Sequence, residues 1–447
     1  MAHPDPRPSP SKPEDRRPSP ASSPNQVQLE PFVHQVGGHF PMVCLDASIV
    51  CKPLNEREHR FYLSVPYMLR AIIPGFEGTM EIEASEDEDG YITLRGNPPP
   101  EYIQKQRRRN RISQIRRSDR IGGEAKDSTP AKDPPHYRLK RKESLEIEPA
   151  LSHDDESELD ESGLRRKSSS ECSSQGPESS GTVCGTQEEA FCNPWALKCH
   201  RDHLKKLGIL KSSQSEDPEG PAGREHTSSE DISTASSSSS AFVASKASKK
   251  TSRSNPQLYL LLENLVSRYR HPCVLDLKIG TRQYADDVSA AKKQRKIAKA
   301  ENSTSSTLGL RLCGMQVYKA KNGRYVCHNK YFGRTLNNQG LKSTIEEFLI
   351  NEETVRMDIV DRLLDKLERM RKIITSLESF RFYTSSLLIT YDGYGLNKID
   401  LRIIDFAHST HKDFEDAVVH KGPDDGFLFG LNNFLGILAE IRKKAVI

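Results

Sequence analysis

The chain has 447 residues, with 66 Lys and Arg against 62 Asp and Glu, so its net charge of +4 names no class of partner. Only 35% of the residues are hydrophobic and the mean hydropathy is −0.68, too polar for a chain of this length to be packed throughout. No apolar run approaches membrane-spanning length, so no membrane partner is expected, and Met1-Ala2-His3-Pro4 opens without the apolar core of a signal peptide. Nine cysteines, an odd number without a paired framework, fit a reducing compartment, cytoplasmic or nuclear. Cys192, Cys199, His200 and His203 lie near one another, but not at the spacing of the common zinc sites.

In chain order, residues 1–27 are rich in Pro, Ser and charge and read as a disordered tail. Order is expected from Leu29, with an N-terminal lobe over 28–96. Val36-Gly37-Gly38-His39 reads either as a hairpin turn or as bare backbone for a phosphate. The next strand, 49–54, carries Lys52 among apolar neighbours. A helix is expected over 56–72 with Phe61, Val65, Met68 and Leu69 inward, and Glu58 is the candidate partner of Lys52. Two short strands follow at 79–82 and 91–94 around a solvated acidic turn.

From 97 to 255 the composition shifts to basic runs at 107–111 and 138–142, an acidic run at 154–160 and a serine tract at 236–240. Such polarity cannot offset the entropy of ordering, so the segment reads as a mostly disordered insert. Its basic runs suit nuclear import, nucleic-acid contacts or a merely solvated tail, and nucleic acid is not expected as a main partner. Protein partners could bind through the insert. Residues 193–200, with the only Trp, stand out as a segment that docks on the folded core, within 191–210.

The hinge strand and C-terminal lobe occupy 256–447. Residues 258–265 form a buried strand. After it, Pro272-Cys273-Val274-Leu275-Asp276-Leu277-Lys278-Ile279-Gly280 sets one acid and one base two residues apart in an apolar strand, hence on one face. Burying both requires partners or a ligand, so the pair is either a structural ion pair or part of a phosphoryl-transfer site. A helix over 287–300 lines up Lys292, Arg295 or Lys296, and Lys299 on one face, a solvated surface or a grip for a polyanion. A hairpin spans 310–330 around Asn322-Gly323. Core helices lie within 343–378, and strands at 385–389 and 401–406 end at Asp405-Phe406. A last helix covers 427–442, and His408 is either a substrate contact or a surface residue.

The pattern Pro272-x-x-x-Asp276-x-Lys278-x-Gly280 resembles the signature of the inositol polyphosphate kinases. Residues 36–39, 193–200 and 313–318 resemble its inositol hexakisphosphate kinase branch. The resemblance implies an α+β, two-lobed, kinase-like fold with ATP between the lobes. It makes Lys52 the nucleotide-phosphate lysine, the backbone at Glu263 and Leu265 the adenine hinge, and Asp405 the magnesium ligand, with Asp276 on the nucleotide or ordering the site. Asp276, Lys278 and Asp405 are the implied catalytic set. Lys278, Lys292, Arg295, Lys296, Lys299 and His408 are implied to hold the acceptor, inositol hexakisphosphate or a related inositol polyphosphate, which gains a diphosphate. Two alternatives stay open: a kinase acting on a free hydroxyl of a less phosphorylated inositol, and a non-catalytic inositol polyphosphate sensor.

Overall fold

A computed structural model describes residues 26–118, 136–142, 144–150, 182–184, 191–210, 254–395, 398–414, 416 and 418–446. The acidic run, the serine tract and most of the N-terminal tail lie outside them. No helix among the described residues is long and apolar enough to cross a membrane.

The first strands are β1 (Val27–Pro31), β2 (Val43–Asp46) and β3 (Ile49–Pro53), antiparallel in sequence order. Along β3, Ile49 and Cys51 enter the core of the N-terminal sheet, while Val50 faces the other core and Lys52 shares its side. Helix α1 (Glu56–Ser64) starts at Asn55, whose side chain accepts from the Glu58 amide. The helix anticipated over 56–72 is shorter. Pro66 removes an amide and forces Val65 extended, so only a 3-10 turn, Tyr67–Ala71, continues. Phe61 and Leu69 are buried as anticipated, but that break turns Met68 out to solvent.

Strands β4 (Phe76–Glu86) and β5 (Tyr91–Gly96) complete a ring, because β1 pairs β5 as well as β2. The acidic turn between them is not wholly solvated, since Glu86 is buried beside Arg141.

The insert is more ordered than its composition suggested. Helix α2 (Pro100–Ser118) is anchored where Tyr102 and Gln106 bond the Asp46 carboxylate. Strands β6 (Tyr137–Arg141) and β7 (Leu145–Pro149) extend the sheet from β5 and bury Leu139 and Leu145. Strand β8 (Thr182–Cys184) adds to the edge of the second sheet. In each case the segment is polar, but a pre-existing sheet edge or carboxylate supplies what it lacks. Helix α3 (Pro194–Lys206) is the anticipated docking segment, capped by Asn193 with Pro194 in its first turn.

Strand β9 (Gln257–Glu263) returns from the insert into the N-terminal sheet between β3 and β4, so the hinge strand belongs to the N-lobe. The second sheet has the order β16 (Ile399–Ile404), β15 (Ser386–Asp392), β10 (Pro272–Ile279), β11 (Leu310–Lys319), β12 (Arg324–Asn329) and β8. Its centre is β10 (Pro272–Ile279), and helix α4 (Ala290–Glu301) follows, with α5 (Thr304–Leu308) after it. Helix α4 begins three residues later than the pattern suggested, at the Ser289 cap. Strands β11 (Leu310–Lys319) and β12 (Arg324–Asn329) form the anticipated hairpin, and helices α6 (Lys330–Thr335) and α7 (Asn338–Leu349) follow.

A short hairpin, β13 (Ile350–Asn351) and β14 (Thr354–Val355), leads to α8 (Met357–Thr375), whose Val360, Leu363, Leu367, Met370 and Ile374 are buried. Strands β15 (Ser386–Asp392) and β16 (Ile399–Ile404) close the sheet, and α9 (Asp425–Val446) covers it with Leu431, Phe434, Leu438 and Ile441. The two-lobed α+β arrangement places the ends of β3, β10 and β16 together.

Candidate active site

The site is built from three strand ends and one helix. Lys52 Nζ lies 2.8 Å from Glu58 Oε1 and 2.7 Å from Asp405 Oδ1. Glu58 is almost wholly buried, so the lysine is what makes its charge tolerable there. Desolvation alone would lower the Lys52 pKa, but the Asp405 and Glu58 carboxylates outweigh it and raise the ammonium above its ordinary value. Burial likewise pushes Asp405 upward, and Lys52 and Lys278 overcome it, holding the carboxyl well below the usual carboxylate range. Phe406 stacks on Phe61 with centroids 4.3 Å apart, and its amide donates to Glu58 Oε1 at 3.3 Å. Helix α1 and the strand-end aspartate are thereby locked to each other.

Asp405 sits at φ 67°, a left-handed conformation tolerable for Asp, and Thr384 across from it at φ 61°, which is worse for a β-branched residue. Buried Ser385 holds this corner by donating to the Asp405 carbonyl at 3.0 Å. Two such residues at adjacent strand ends mark a corner overdetermined by its surroundings.

Asp276 is buried on β10, and its Oδ1 has no hydrogen-bond partner among the described residues. Burial, and then the neighbouring Asp405 charge, raise its carboxyl to about 6, with Lys278 and Lys52 opposing. Gly37 of the glycine turn lies against it, since a Cβ there would fall 2.3 Å from Asp276 Oδ2. The turn also presses on β11, where a Cβ on Gly314 would stand 1.9 Å from the Val36 carbonyl oxygen. Buried Gln35 shapes the turn: its amide donates to the Gly37 and Phe40 carbonyls at 2.9 and 2.7 Å and accepts from Met42 at 3.0 Å. The Gly37-Gly38 turn is thus neither a free hairpin nor remote from the site. Lys278 shares the Asp276 face and donates to the Thr384 carbonyl. The two residues form no hydrogen-bonded ion pair, so the purely structural reading of the motif loses its main support.

Next to this corner lies a group of cations. Lys299 is lowered to about 8 by partial desolvation and then by Arg334, Arg311, Lys296 and Lys330. His39 is lowered to about 4 by desolvation and then by Lys330 and Lys278, with Asp405 opposing and Lys299 adding to the effect. His408 is lowered by burial, then by Lys296 and Lys292, which sets it beside the basic helix and not on an unrelated surface. Lys278, Lys299, Arg311, Lys330 and Arg334 form no ion pair with a carboxylate among the described residues. Arg295 of the same helix is exposed, as is Lys299.

Sequence reasoning missed Arg311, Lys330, Arg334 and His39, because they come from β11, α6 and the glycine turn. Lys330 and Arg334 at i and i+4 after the Asn329 cap carried the only local signal.

At the hinge, the Glu263 amide donates to the Gly75 carbonyl at 2.8 Å, and its carboxylate accepts from the Gly75 amide at 3.1 Å. That amide is engaged within the N-terminal sheet. The Leu265 carbonyl accepts from Thr390 at 3.5 Å.

The residues fit a divalent cation: Asp276 offers a buried oxygen without a partner, and Asp405 is held ionised beside it. Two carboxylates next to a cationic basin suit a hard ion shared with phosphate oxygens.

The inositol polyphosphate kinase family profile matches residues 259–439. Inositol hexakisphosphate kinase 3 of Homo sapiens is 34% identical over 455 residues, covering 93% of this chain and 96% of that protein. Inositol hexakisphosphate kinase 1 of Mus musculus is 34% identical over 469 residues, covering 94% of each. Among solved structures, an inositol phosphate multikinase from S. cerevisiae in complex with ADP and Mn2+ is 26% identical, with a TM-score of 0.36 over 41% of this chain and 84% of that one.

Proposed function

This chain belongs to the inositol polyphosphate kinase family, and from that membership we infer that it transfers the γ-phosphoryl group of ATP to a phosphate of inositol hexakisphosphate, making a diphosphoinositol. The observation that carries the acceptor class is the set of five cations without carboxylate partners beside Asp276 and Asp405. Like charges gathered this way repel one another, and a polyanion relieves that repulsion.

In this reading Lys52, kept protonated by Asp405 and Glu58, meets the nucleotide phosphates. Adenine meets the Glu263 carbonyl and the Leu265 amide, since the Glu263 amide is already bonded to Gly75. Asp405 and Asp276 would hold the divalent ion, magnesium in this reading, which would supply positive charge to offset that of the phosphates. Gly37 keeps Asp276 covered and water away from its inner face. Lys278, Lys292, Lys296, Lys299 and His408 hold the acceptor.

A phosphate acceptor presents an oxygen that is already ionised. The site therefore needs alignment and cationic shielding more than a strong base, and the cationic basin supplies both. The test is ATP consumption with inositol hexakisphosphate at varied magnesium, with the phosphate count of the product resolved. A product with one phosphate more than the acceptor, absent without the divalent ion, is expected. Binding of the acceptor without turnover would leave a sensor instead.

A further inference from the structure

Helix α3 reaches the active site through one side chain. Trp195 is buried, and its indole N–H donates to the Gly38 carbonyl at 3.2 Å. The Lys330 ammonium stands 4.9 Å from the centroid of the Trp195 ring. It also lies 3.1 Å from His39 Nε2. The same segment is tied down at both ends of this contact: the Asn193 amide donates to the Val33 carbonyl at 2.8 Å, and the Asn193 side chain donates to Gln316 Oε1 at 3.0 Å. Gln35, which shapes the glycine turn, also donates to Cys199 Sγ at 3.7 Å. Helix α3 is thus fastened to the glycine turn and to β11 at once, and Lys330 is caught between an indole face and an imidazole.

We propose that α3, although it comes from the insert, completes the acceptor site: Trp195 is a positioning residue that fixes Lys330 and the His39 turn. Lys330 and Arg334, with the uncharged His39 imidazole beside them, then form a second cationic wall for the phosphates of a multiply phosphorylated polyol. The physical reason is entropic. A lysine on α6 has four free torsions, and an aromatic face removes most of that freedom before the anion arrives. The imidazole beside it, kept neutral first by burial, accepts from the ammonium through Nε2 and so helps to hold the lysine in place.

The proposal rests on the acceptor class inferred above. It adds that the number of phosphates gripped, and so the preference for a fully phosphorylated ring, depends on a segment of the insert. Lys330→Ala is expected to raise the KM for inositol hexakisphosphate at least about tenfold, the worth of one charge-assisted phosphate contact. The KM for ATP should stay within about twofold, since Lys330 touches none of the groups assigned to the nucleotide. Trp195→Leu should raise the same KM less, about threefold to tenfold, and Trp195→Phe, which keeps a ring over Lys330, should recover most of it.

In the double variant Trp195→Leu with Lys330→Ala the two effects should not multiply, because the indole acts through the lysine. Multiplying effects, or equal rises in both KM values, would show Trp195 to be merely structural and overturn the proposal. Should Trp195→Leu fail to fold, Lys330→Ala and Trp195→Phe decide alone. If Lys330→Ala leaves the acceptor KM within about twofold while Lys292→Ala with Lys296→Ala and Lys299→Ala raises it, the second wall is wrong and the acceptor class stands. If neither change moves the acceptor KM, the acceptor reading itself fails.

Discussion

Lys52 Nζ and Asp405 Oδ1 stand 2.7 Å apart across 353 residues of sequence, and this bond joins the N-lobe strand β3 to the end of β16. The same ammonium neutralises Glu58, so one lysine serves two carboxylates, one buried and one partly exposed. Lys52 therefore has a structural role in joining the two lobes.

Asp405→Asn keeps the shape of the strand end but not its charge. Turnover at saturating magnesium is expected to fall more than about tenfold, a loss above roughly 1.4 kcal/mol, with the melting temperature little changed. Lys52→Met should behave differently. It leaves the buried Glu58 carboxylate without a cation and should cost about 3–5 kcal/mol of stability, read by urea unfolding. Similar stability losses in both variants would contradict this division of roles.

Asp276 offers a test with a pH signature. Its folded pKa of about 6 lies above the ordinary 3.8. Between those values the folded protein binds more protons than the unfolded chain, so stability falls as pH rises through the window. Above about pH 6 the buried carboxylate imposes its full cost. Asp276→Asn should therefore stabilise the ligand-free protein near pH 7.5 by on the order of 3 kcal/mol and do almost nothing at pH 3.5, while abolishing turnover. Melting curves of both proteins at the two pH values decide it, and an equal shift at both would remove the electrostatic explanation.

Changing Lys292, Lys296 and Lys299 together to Ala should weaken acceptor binding more than a hundredfold, on the order of 4 kcal/mol, and leave the ATP KM nearly alone. Added salt should shrink the effect, because the partly exposed charges are screened. An acceptor KM within about threefold of wild type, below roughly one kcal/mol, would mean that the helix is a solvated face.

The insert divides into parts that should respond differently to deletion. Removing 151–181 and 211–253 with short linkers should leave soluble, active protein, because their composition is too polar to supply a core. Leu139→Ala, in contrast, empties a site that is 1% exposed in the N-lobe core and should cost about 2–4 kcal/mol. A stable, active protein lacking 136–150 would show that the added hairpin is not part of the folded lobe.

Some of this was written locally. The alternation around Asp276 and Lys278, the lysine among apolar residues of β3 and the aspartate closing β16 each follow from a period of two and from the cost of burying a charge, so sequence alone picks them out. Segment 193–200 was legible for the same kind of reason, an aromatic island in polar chain. Other features were decided by tertiary structure. Residues 100–118 and 136–150 are too polar to fold by themselves, and they are ordered because Asp46 and the free edge of β5 complete them. Gly37 against Asp276, Lys330 between Trp195 and His39, and the cations from β11, α6 and α4 meet only after strands far apart in sequence pair. Their meaning is a sum of charges over distance. No single stretch of sequence contains that sum.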